Sequence, residues 1–150
     1  MSTSAPAAPV LDDLICFDLY AASRQVTAAY RPILAELGLT YPQYLVLVVL
    51  GGHDEMLIKD VGRQLRLDHA TLSPLLRRLE RDGLVTRRRS TSDERAVVLA
   101  LTEEGRAVHA RFGDVHCRIA DALGITAEQA EQLRTALRAL AGHLGAASIA

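Results

Sequence analysis

Two cysteines carry the most reactive side chains in this sequence. Cys16 lies four residues before Tyr20, so the two side chains would share one face of a helix. A phenol in that position can donate a hydrogen bond to a thiolate, and its ring offers apolar surface to an alkyl peroxide. The apolar neighbours Leu14, Ile15 and Phe17 are equally typical of a buried, unreactive cysteine. The residues alone favour the core interpretation and leave the reactive one open.

The second cysteine, Cys117, lies far along the chain, next to His116. Two cysteines are too few for the disulfide scaffold of a secreted protein, so we expect a cytoplasmic location. The five histidines and two cysteines show no paired spacing of the zinc type, and His109 and His116 are too far apart to share an ion unaided. We therefore predict neither a metal nor a cofactor.

Arginines concentrate in the middle of the chain, where they could contact nucleic acid. Ten of the 17 Lys and Arg residues lie between positions 59 and 95, against six of the 18 acidic residues, although the whole chain has a net charge of −1. Arginine forms paired hydrogen bonds with phosphates and base edges, and a localised basic segment is typical of nucleic-acid binding. A biased genomic base composition would also explain the excess of arginine over lysine. The elements that position these side chains therefore have to decide.

Size and composition predict one globular domain, or one domain with a dimerising extension. The 150 residues are 49% hydrophobic and 23% charged, which is enough for a core without metal or disulfide. No apolar run reaches about 18 residues, and no basic region precedes an apolar run at the N-terminus. We therefore predict no membrane-spanning helix, no secretory signal and no membrane partner.

The first part of the chain predicts a tail and a helix. Residues 1–9 are small, polar and proline-containing, which predicts a disordered tail. Apolar residues repeat at helical spacing from Leu11 to about Tyr30. Pro32 is expected to kink or restart this helix, and Gly38 to end it.

The next elements predict a helix-turn-helix. Thr40 and Gln43 form a capping box before an apolar helix that Gly51 and the following glycine end. An amphipathic helix is expected at Ile58–Leu65, and Asp68 caps a second helix that ends near residue 83. Two short helices joined by a tight turn are typical of this DNA-binding motif.

A β-hairpin and two longer helices follow. We predict that a strand begins at residues 84–86, that 87–95 form a basic tip, and that the strand returns over 96–101. Thr102 would cap a helix that runs to about Leu123, and a further capping box at 126–129 would open the last helix.

This order of elements predicts a mainly α fold with a small β-hairpin wing. We interpret it as a winged helix-turn-helix at 40–101, flanked by N- and C-terminal dimerisation helices at 10–38 and 102–150. The second helix of the pair, 69–82, would enter the major groove of operator DNA. Its outward-facing residues, predicted to contact DNA, are His69, Ala70, Thr71, Ser73, Pro74, Arg77 and Arg78.

The hairpin tip is predicted to insert arginine into the minor groove. The candidate contacts are Arg87, Arg88 and Arg95, with Asp93 orienting the guanidinium of Arg95. Solvated arginines and a plain turn aspartate are the alternatives for any one of these positions.

Two segments resemble a known family. The run from Leu84 to Leu101, especially Asp93-Glu94-Arg95, resembles the wing of the multiple-antibiotic-resistance regulator (MarR) family, whose helix order covers nearly the whole chain. The first helix around Cys16, together with Tyr30 and the Thr40-Tyr41-Pro42-Gln43-Tyr44 segment, resembles the organic-hydroperoxide-sensing (OhrR-type) repressors of that family.

The resemblance implies a homodimeric repressor that organic hydroperoxides release from a pseudo-palindromic operator. It implies that Cys16 is the peroxide-reactive thiolate, that Tyr20, Tyr30 and Tyr41, with Phe17 nearby, form its pocket, and that Cys117 of the partner subunit resolves oxidised Cys16 as a disulfide. On one continuous helix Tyr30 would lie roughly 21 Å from Cys16, at about 1.5 Å per residue. Tyr30 could then contact only the cysteine of another subunit.

Three alternatives remain at this stage. A repressor of the same family could respond to a small aromatic ligand, with Cys16 purely structural. An enzyme of the thiol peroxidase class would leave the basic hairpin unexplained. A dimeric interaction protein without a DNA partner would show no salt-dependent DNA binding. We predict a regulator and no enzyme.

Overall fold

The computed structural model describes residues 8–147, so most of the predicted tail lies outside the described residues. The helices are α1 (Ile15–Ala35), α2 (Tyr41–Gly51), α3 (Ile58–Leu65), α4 (His69–Arg81), α5 (Glu103–His109), α6 (Phe112–Leu123) and α7 (Ala127–Ala147). The strands are β1 (Met56–Leu57), β2 (Val85–Arg89) and β3 (Val97–Leu101). The predicted mainly α fold with a small β wing is confirmed.

The first helix differs from its prediction at both ends. Leu11–Asp13 form a separate 3-10 turn, and the extended residue Leu14 precedes α1. Pro32 lies inside a continuous α1, so the expected break there is wrong. Proline removes one backbone donor, but Ile33 and Leu34 directly after it are buried in the core and hold the last turn in place.

Side-chain caps begin the helices where the sequence placed them. Thr40 and Gln43 form the complete capping box of α2. Asp68 accepts a 2.7 Å hydrogen bond from the backbone N–H of Thr71 at the start of α4. Each cap satisfies N–H groups that have no partner within the helix, which fixes the helix start.

Thr102 joins three elements at the base of the wing. Its backbone N–H donates to the carbonyl oxygen of Leu84 at 3.1 Å. Its hydroxyl donates to the carbonyl oxygen of Gly83 at 2.6 Å and accepts from the N–H of Gly105 at 2.9 Å. The end of α4, the start of β2 and the start of α5 therefore meet at one side chain.

The wing is a three-stranded antiparallel sheet in the order β1-β3-β2. β1 is only two residues long, and the sequence gave no signal for it. Arg87 pairs with Leu99 and Arg89 with Val97, so these arginines lie in β2 and the predicted basic tip is wrong for them. The non-local pairing with β3 extends the strand, and the tip is confined to residues 90–96.

The helix predicted from Thr102 to Leu123 is two helices, α5 and α6, separated at Ala110 and Arg111. The burial of Gly105, Phe112, Val115 and Ile119 continues at helical spacing across the break, which hides it in the sequence. Among the described residues, the buried core draws on segments from Ile33 to Ile119 and on no residue of α7. No helix within residues 8–147 is long and apolar enough to cross a membrane.

Candidate nucleic-acid interface and redox site

The outer face of α4 presents the predicted DNA-contacting side chains. Leu72, Leu76 and Leu79 are buried and turn the opposite face to the core. The outward residues that are exposed are His69, Ala70, Thr71, Pro74, Arg77 and Arg78, while Ser73 is half-buried. The helix thus offers hydrogen-bonding, apolar and cationic groups on one surface, as a recognition helix requires.

The wing arginines fall into two groups. Arg87 lies 3.5 Å from the carboxylate of Glu80 on α4, and Arg88 forms an ion pair with Glu55. These two arginines tie the wing to the lobe and are already partnered by carboxylates. The guanidinium of Arg95 forms no ion pair with any residue of the described chain and is exposed. Arg95 is therefore the more available cation of the wing tip.

Asp93 plays a different part from the one predicted. Its carboxylate accepts a 3.0 Å hydrogen bond from the backbone N–H of Arg95, not from the guanidinium. Its carbonyl oxygen accepts from the N–H of Ala96 at 3.0 Å. Asp93 therefore shapes the turn at the wing tip and only indirectly positions Arg95.

Cys16 is the second residue of α1, and it is exposed. Within a single chain it is not a core residue. The unpaired N–H groups and positive dipole end of a helix N-terminus stabilise a thiolate there. Asp18 lies in the same first turn and its negative charge opposes that effect.

The predicted sensor tyrosines separate into two places on one chain. The ring of Tyr20 is exposed and lies 5.4 Å below the guanidinium of Arg24. The ring centroids of Tyr30 and Tyr41 lie 4.7 Å apart, and Tyr44 lies 5.5 Å from Tyr30. Because α1 is continuous, Tyr30 is roughly 21 Å along the helix from Cys16 of the same chain.

Tyr44 belongs to this aromatic cluster, although it was not among the predicted pocket residues. Its side chain is buried, and its ring packs 4.7 Å from that of Phe112 on α6. The available signal was its three-residue spacing from Tyr41, which places both on one helix face. The cluster therefore links α1, α2 and α6.

The phenols of this cluster stay protonated well above neutral pH. Burial, followed by the neighbouring phenols of Tyr44 and Tyr41, raises the pKa of Tyr30 to about 12. Burial also raises the pKa of Tyr44. Tyr30 and Tyr44 are consequently neutral O–H groups at neutral pH and can act as hydrogen-bond donors.

Cys117 is exposed on α6 and lies far from Cys16 of its own chain. The next residue, Arg118, binds the carboxylate of Glu36 through two hydrogen bonds of 2.9 and 3.0 Å. Glu36 follows the C-terminal end of α1, whereas Cys16 lies at the other end, roughly 28 Å away along the helix. A disulfide needs Cα atoms within about 7 Å, so the two cysteines of one chain cannot form one in this conformation.

Residues 8–147 contain no group of three or more His, Cys, Asp or Glu side chains that could hold a metal ion. Neither thiol is paired with the other, and both are accessible. The chemically distinctive groups of the described chain are thus two free thiols, a tyrosine cluster and a basic surface formed by α4 and the wing.

Comparison with known proteins identifies the group to which this chain belongs. The family model for the transcriptional regulator SarA/Rot matches residues 28–111. The organic hydroperoxide resistance transcriptional regulator of Bacillus subtilis is 43% identical over 130 residues, which cover 87% of this chain and 88% of the relative. The chain belongs to the MarR family of winged-helix transcriptional regulators. Its similarity to the hydroperoxide regulator places it near the OhrR-type members of that family.

Solved MarR-family structures resemble the whole chain. Reduced AbfR bound to DNA, a Staphylococcus epidermidis protein, matches with a TM-score of 0.74 and 32% identity over 89% of this chain and 94% of AbfR. A disulfide form of AbfR matches with a TM-score of 0.63 and 34% identity over 87% and 91%. PcaV of Streptomyces coelicolor with its natural ligand matches with a TM-score of 0.82 and 27% identity over 91% and 98%.

The family determines the general activity of the chain. The named relatives and structural neighbours are transcriptional regulators, so this chain is a DNA-binding transcriptional regulator and not an enzyme. The winged-helix surface described above is the part of the molecule that serves this activity.

Proposed function

We propose that the protein is a homodimeric repressor that senses organic hydroperoxides through Cys16 and releases its operator when Cys16 is oxidised. The observation that carries the proposal is the exposed position of Cys16 in the first turn of α1, where a peroxide can reach it. The 43% identity to a regulator of organic hydroperoxide resistance supports the same chemistry. Free thiols and a DNA target are consistent with the reducing cytoplasm as the site of action.

The exposed face of α7 supports the dimer. Leu133, Leu137 and Leu140 follow helical spacing and are 52%, 40% and 39% exposed. A helix with so little contact to its own chain gains little from packing, and packing normally supplies most of its stability. Burial of this stripe and of the exposed apolar residues near Leu11 and Ile15 against a second copy provides that stabilisation.

In the proposed dimer, the sensor site is shared between subunits. The tyrosine cluster lies too far along α1 to meet Cys16 of its own chain. Antiparallel crossing of two α1 helices brings Cys16 of one subunit to the cluster of the other. Tyr30 and Tyr41 then offer phenol donors to the thiolate and apolar ring surface to an alkyl group.

The chemistry of the proposed response is a two-electron oxidation. The thiolate sulfur of Cys16 attacks the terminal peroxide oxygen, the O–O bond breaks, and the alkoxide leaves and takes a proton to become the alcohol. Cys16 is then a sulfenic acid. The thiolate of Cys117 in the other subunit attacks that sulfur, a disulfide forms, and the oxygen leaves as water.

The separation of the two cysteines within one chain supports an intersubunit disulfide, and the existence of a disulfide form of the relative AbfR is consistent with one. A link between α1 of one subunit and α6 of the other would rotate the two lobes. The lobes need half-sites about 34–36 Å apart, one helical turn of DNA. A population reversal from 99:1 to 1:99 takes about 5.5 kcal/mol, which a covalent link supplies.

A repressor that responds to a small aromatic ligand is the second candidate. The specific observation in its favour is the similarity to PcaV, which was solved with its natural ligand. In that case Cys16 has no redox role, and replacing it leaves the response intact. The exposure of Cys16 in the chain gives the first candidate the advantage.

The decisive experiment measures binding of the reduced protein to the DNA upstream of its own gene, with and without cumene hydroperoxide. Wild type, Cys16→Ser and Cys117→Ser are compared, and non-reducing gels are run on the same samples. We expect wild type to release DNA and form a cross-linked dimer, and Cys16→Ser to do neither. Release of DNA by Cys16→Ser to the same extent as wild type would exclude peroxide sensing through this residue.

Cys117→Ser distinguishes the two ways of resolving the sulfenic acid. We expect this variant to lose the cross-linked dimer and to retain DNA release only when a small thiol is added. Cross-linking that persists in Cys117→Ser would show that Cys117 is not the resolving residue.

A further inference from the structure

A cleft of about 850 Å³ opens on the DNA-binding lobe between α3, the start of α4 and the wing. It includes neither cysteine and none of the tyrosines. One side is formed by α3 and the turn after it, and the other by Arg95 and the first residue of β3, Val97. Both of the elements that meet DNA therefore contribute to its walls.

The lining of this cleft has two chemically distinct parts. The floor consists of the apolar side chains Leu57, Ile58, Leu67, Leu72 and Val97. The rim carries the cationic side chains Lys59, Arg63, Arg66 and Arg95. Pockets of this volume with mostly apolar walls and a few convergent polar groups are typical of small-molecule sites.

The charge of the rim is mostly uncompensated. Arg63 is paired with Asp60 at 2.9 Å. Lys59, Arg66 and Arg95 form no ion pair with any residue in the described part of the chain, and all three are exposed. A negatively charged group at the mouth of the cleft would meet three cations that have no competing carboxylate partner.

The two carboxylates in the lining are already engaged by backbone donors. Asp68 accepts from the N–H of Thr71 at 2.7 Å, and Asp93 accepts from the N–H of Arg95 at 3.0 Å. The hydrogen bonds from Thr71 lower the pKa of Asp68. These carboxylates maintain the turns at the cleft and do not neutralise its rim.

We propose that this cleft binds an amphipathic organic anion, a carboxylate attached to an apolar chain or ring. The carboxylate would bind the guanidinium and ammonium groups of the rim, and the apolar part would cover the floor. A phosphodiester strand of DNA would use the rim but gain nothing from five apolar side chains. The two-part lining therefore favours the amphipathic anion.

Occupation of the cleft would oppose DNA binding without any oxidation of Cys16. His69 at the start of α4 and Arg95 at the wing tip line the cleft and also belong to the DNA-contacting surface. An anion held by Arg95 removes that cation from the minor groove and adds negative charge beside the phosphates. The inference depends on the DNA-binding activity of the family and not on peroxide sensing.

The test uses full-length Cys16→Ser protein, so that oxidation cannot contribute. Sodium decanoate is the probe, with 1-decanol as the uncharged control and butyrate as the short-chain control. Calorimetry without DNA measures binding, and fluorescence anisotropy measures affinity for labelled DNA from upstream of the gene. We expect decanoate to bind and to lower DNA affinity about tenfold at saturation, and neither control to do so at equal concentration.

Variants locate the effect. Lys59→Gln with Arg66→Asn removes two cations, and asparagine tolerates the left-handed backbone of residue 66, where φ is 54°. Ala96→Leu fills the cleft from the wing. We expect each change to weaken decanoate binding about tenfold, while Arg134→Gln on α7 leaves it unchanged. Circular dichroism verifies that each variant is folded.

Three results would overturn the proposal. The first is absence of calorimetric binding by decanoate, and the second is equal binding by wild type and the double variant. The third is a weaker salt dependence of DNA binding in the double variant without any decanoate binding, which would make the cleft a seat for the DNA backbone.

Discussion

The DNA-binding lobe and the helices that flank it differ in how far one chain can cover their apolar side chains. In the lobe, Leu47, Leu50 and Leu79 are completely buried within a single chain. On α7, Leu133 and Leu137 remain 52% and 40% exposed. The lobe is complete in one chain, whereas the flanking helices present a surface that a second copy would cover.

This difference also separates the two functional sites. The DNA-contacting surface is assembled by α4 and the wing of one chain. The proposed sensor site divides between chains, because Cys16 and the Tyr30 cluster lie at distant points on the same helix. We infer that changes in the flanking helices alter assembly and sensing, and that changes in the lobe alter folding and DNA affinity.

The largest expected effect is on the dimer. Leu133→Glu with Leu137→Glu removes four exposed leucines per dimer, each worth about 1.5–3 kcal/mol when buried. We expect the dimer dissociation constant to rise about 10⁴-fold or more, as measured by sedimentation across a concentration series. Arg138→Glu, next to Leu137 on the polar side, is the matched control and should leave the dimer intact. An unchanged dimer in the double variant would place the interface elsewhere.

The next effect is on folding at the junction of lobe and α5. A Cβ at Gly105 would overlap the backbone carbonyl of Leu84, whereas a Cβ at Gly113 on α6 would meet nothing within 4 Å. We expect Gly105→Ala to destabilise the protein by about 3 kcal/mol and Gly113→Ala to stabilise it by about 0.5–1 kcal/mol. Urea unfolding measures both. Equal unfolding midpoints for the two variants would contradict the tight junction.

A smaller effect concerns the tyrosine cluster at alkaline pH. The pKa of Tyr30 is raised to about 12 by burial and by its neighbours. A raised pKa in the folded state contributes stability that is present below the ordinary value of 10.0 and is lost as pH rises toward 12. Tyr30→Phe should therefore flatten the alkaline loss of stability and remove the latest step in the absorbance of tyrosinate. The exposed residue Tyr20 is the control, and Tyr20→Phe should preserve that step.

The smallest effect concerns the surface ion pair between α1 and α6. The hydrogen bonds and charge of Arg118 lower the pKa of Glu36 below its ordinary 4.5. A lowered pKa contributes stability that is present above 4.5 and is lost as pH falls through the folded-state value. Wild type should thus be slightly more stable than Arg118→Gln at neutral pH, and the two should converge in acid. A constant difference at all pH values would assign the effect to packing of the arginine stem.

Local signals in the sequence were sufficient for much of the lobe. The caps at Thr40, Asp68 and Thr102 were predicted because each depends on residues three positions apart. The recognition helix and its outward face followed from the spacing of leucines. The break between α5 and α6 was missed because buried side chains keep helical spacing across Arg111. These elements are determined within a few residues, so a sequence pattern describes them well.

Long-range contacts explain what the sequence did not reveal. The two residues of β1 become a strand only by pairing with β3. Arg88 finds its carboxylate at Glu55, 33 positions away, so its ion pair cannot be read from its neighbours. Asp93 was predicted to hold a side chain and instead holds a backbone N–H. The roles of charged residues on the wing depend on which distant groups fold against them.

The position of Thr102 has a consequence for the way the protein leaves DNA. Its hydrogen bonds fasten the recognition helix, the wing and α5 together at one joint, so the three elements behave as a single lever. A rotation applied through α5 turns the major-groove and minor-groove contacts by the same angle, and the displacement grows with distance from the joint. Dissociation from the operator should accordingly follow a single exponential, because neither groove can be vacated before the other.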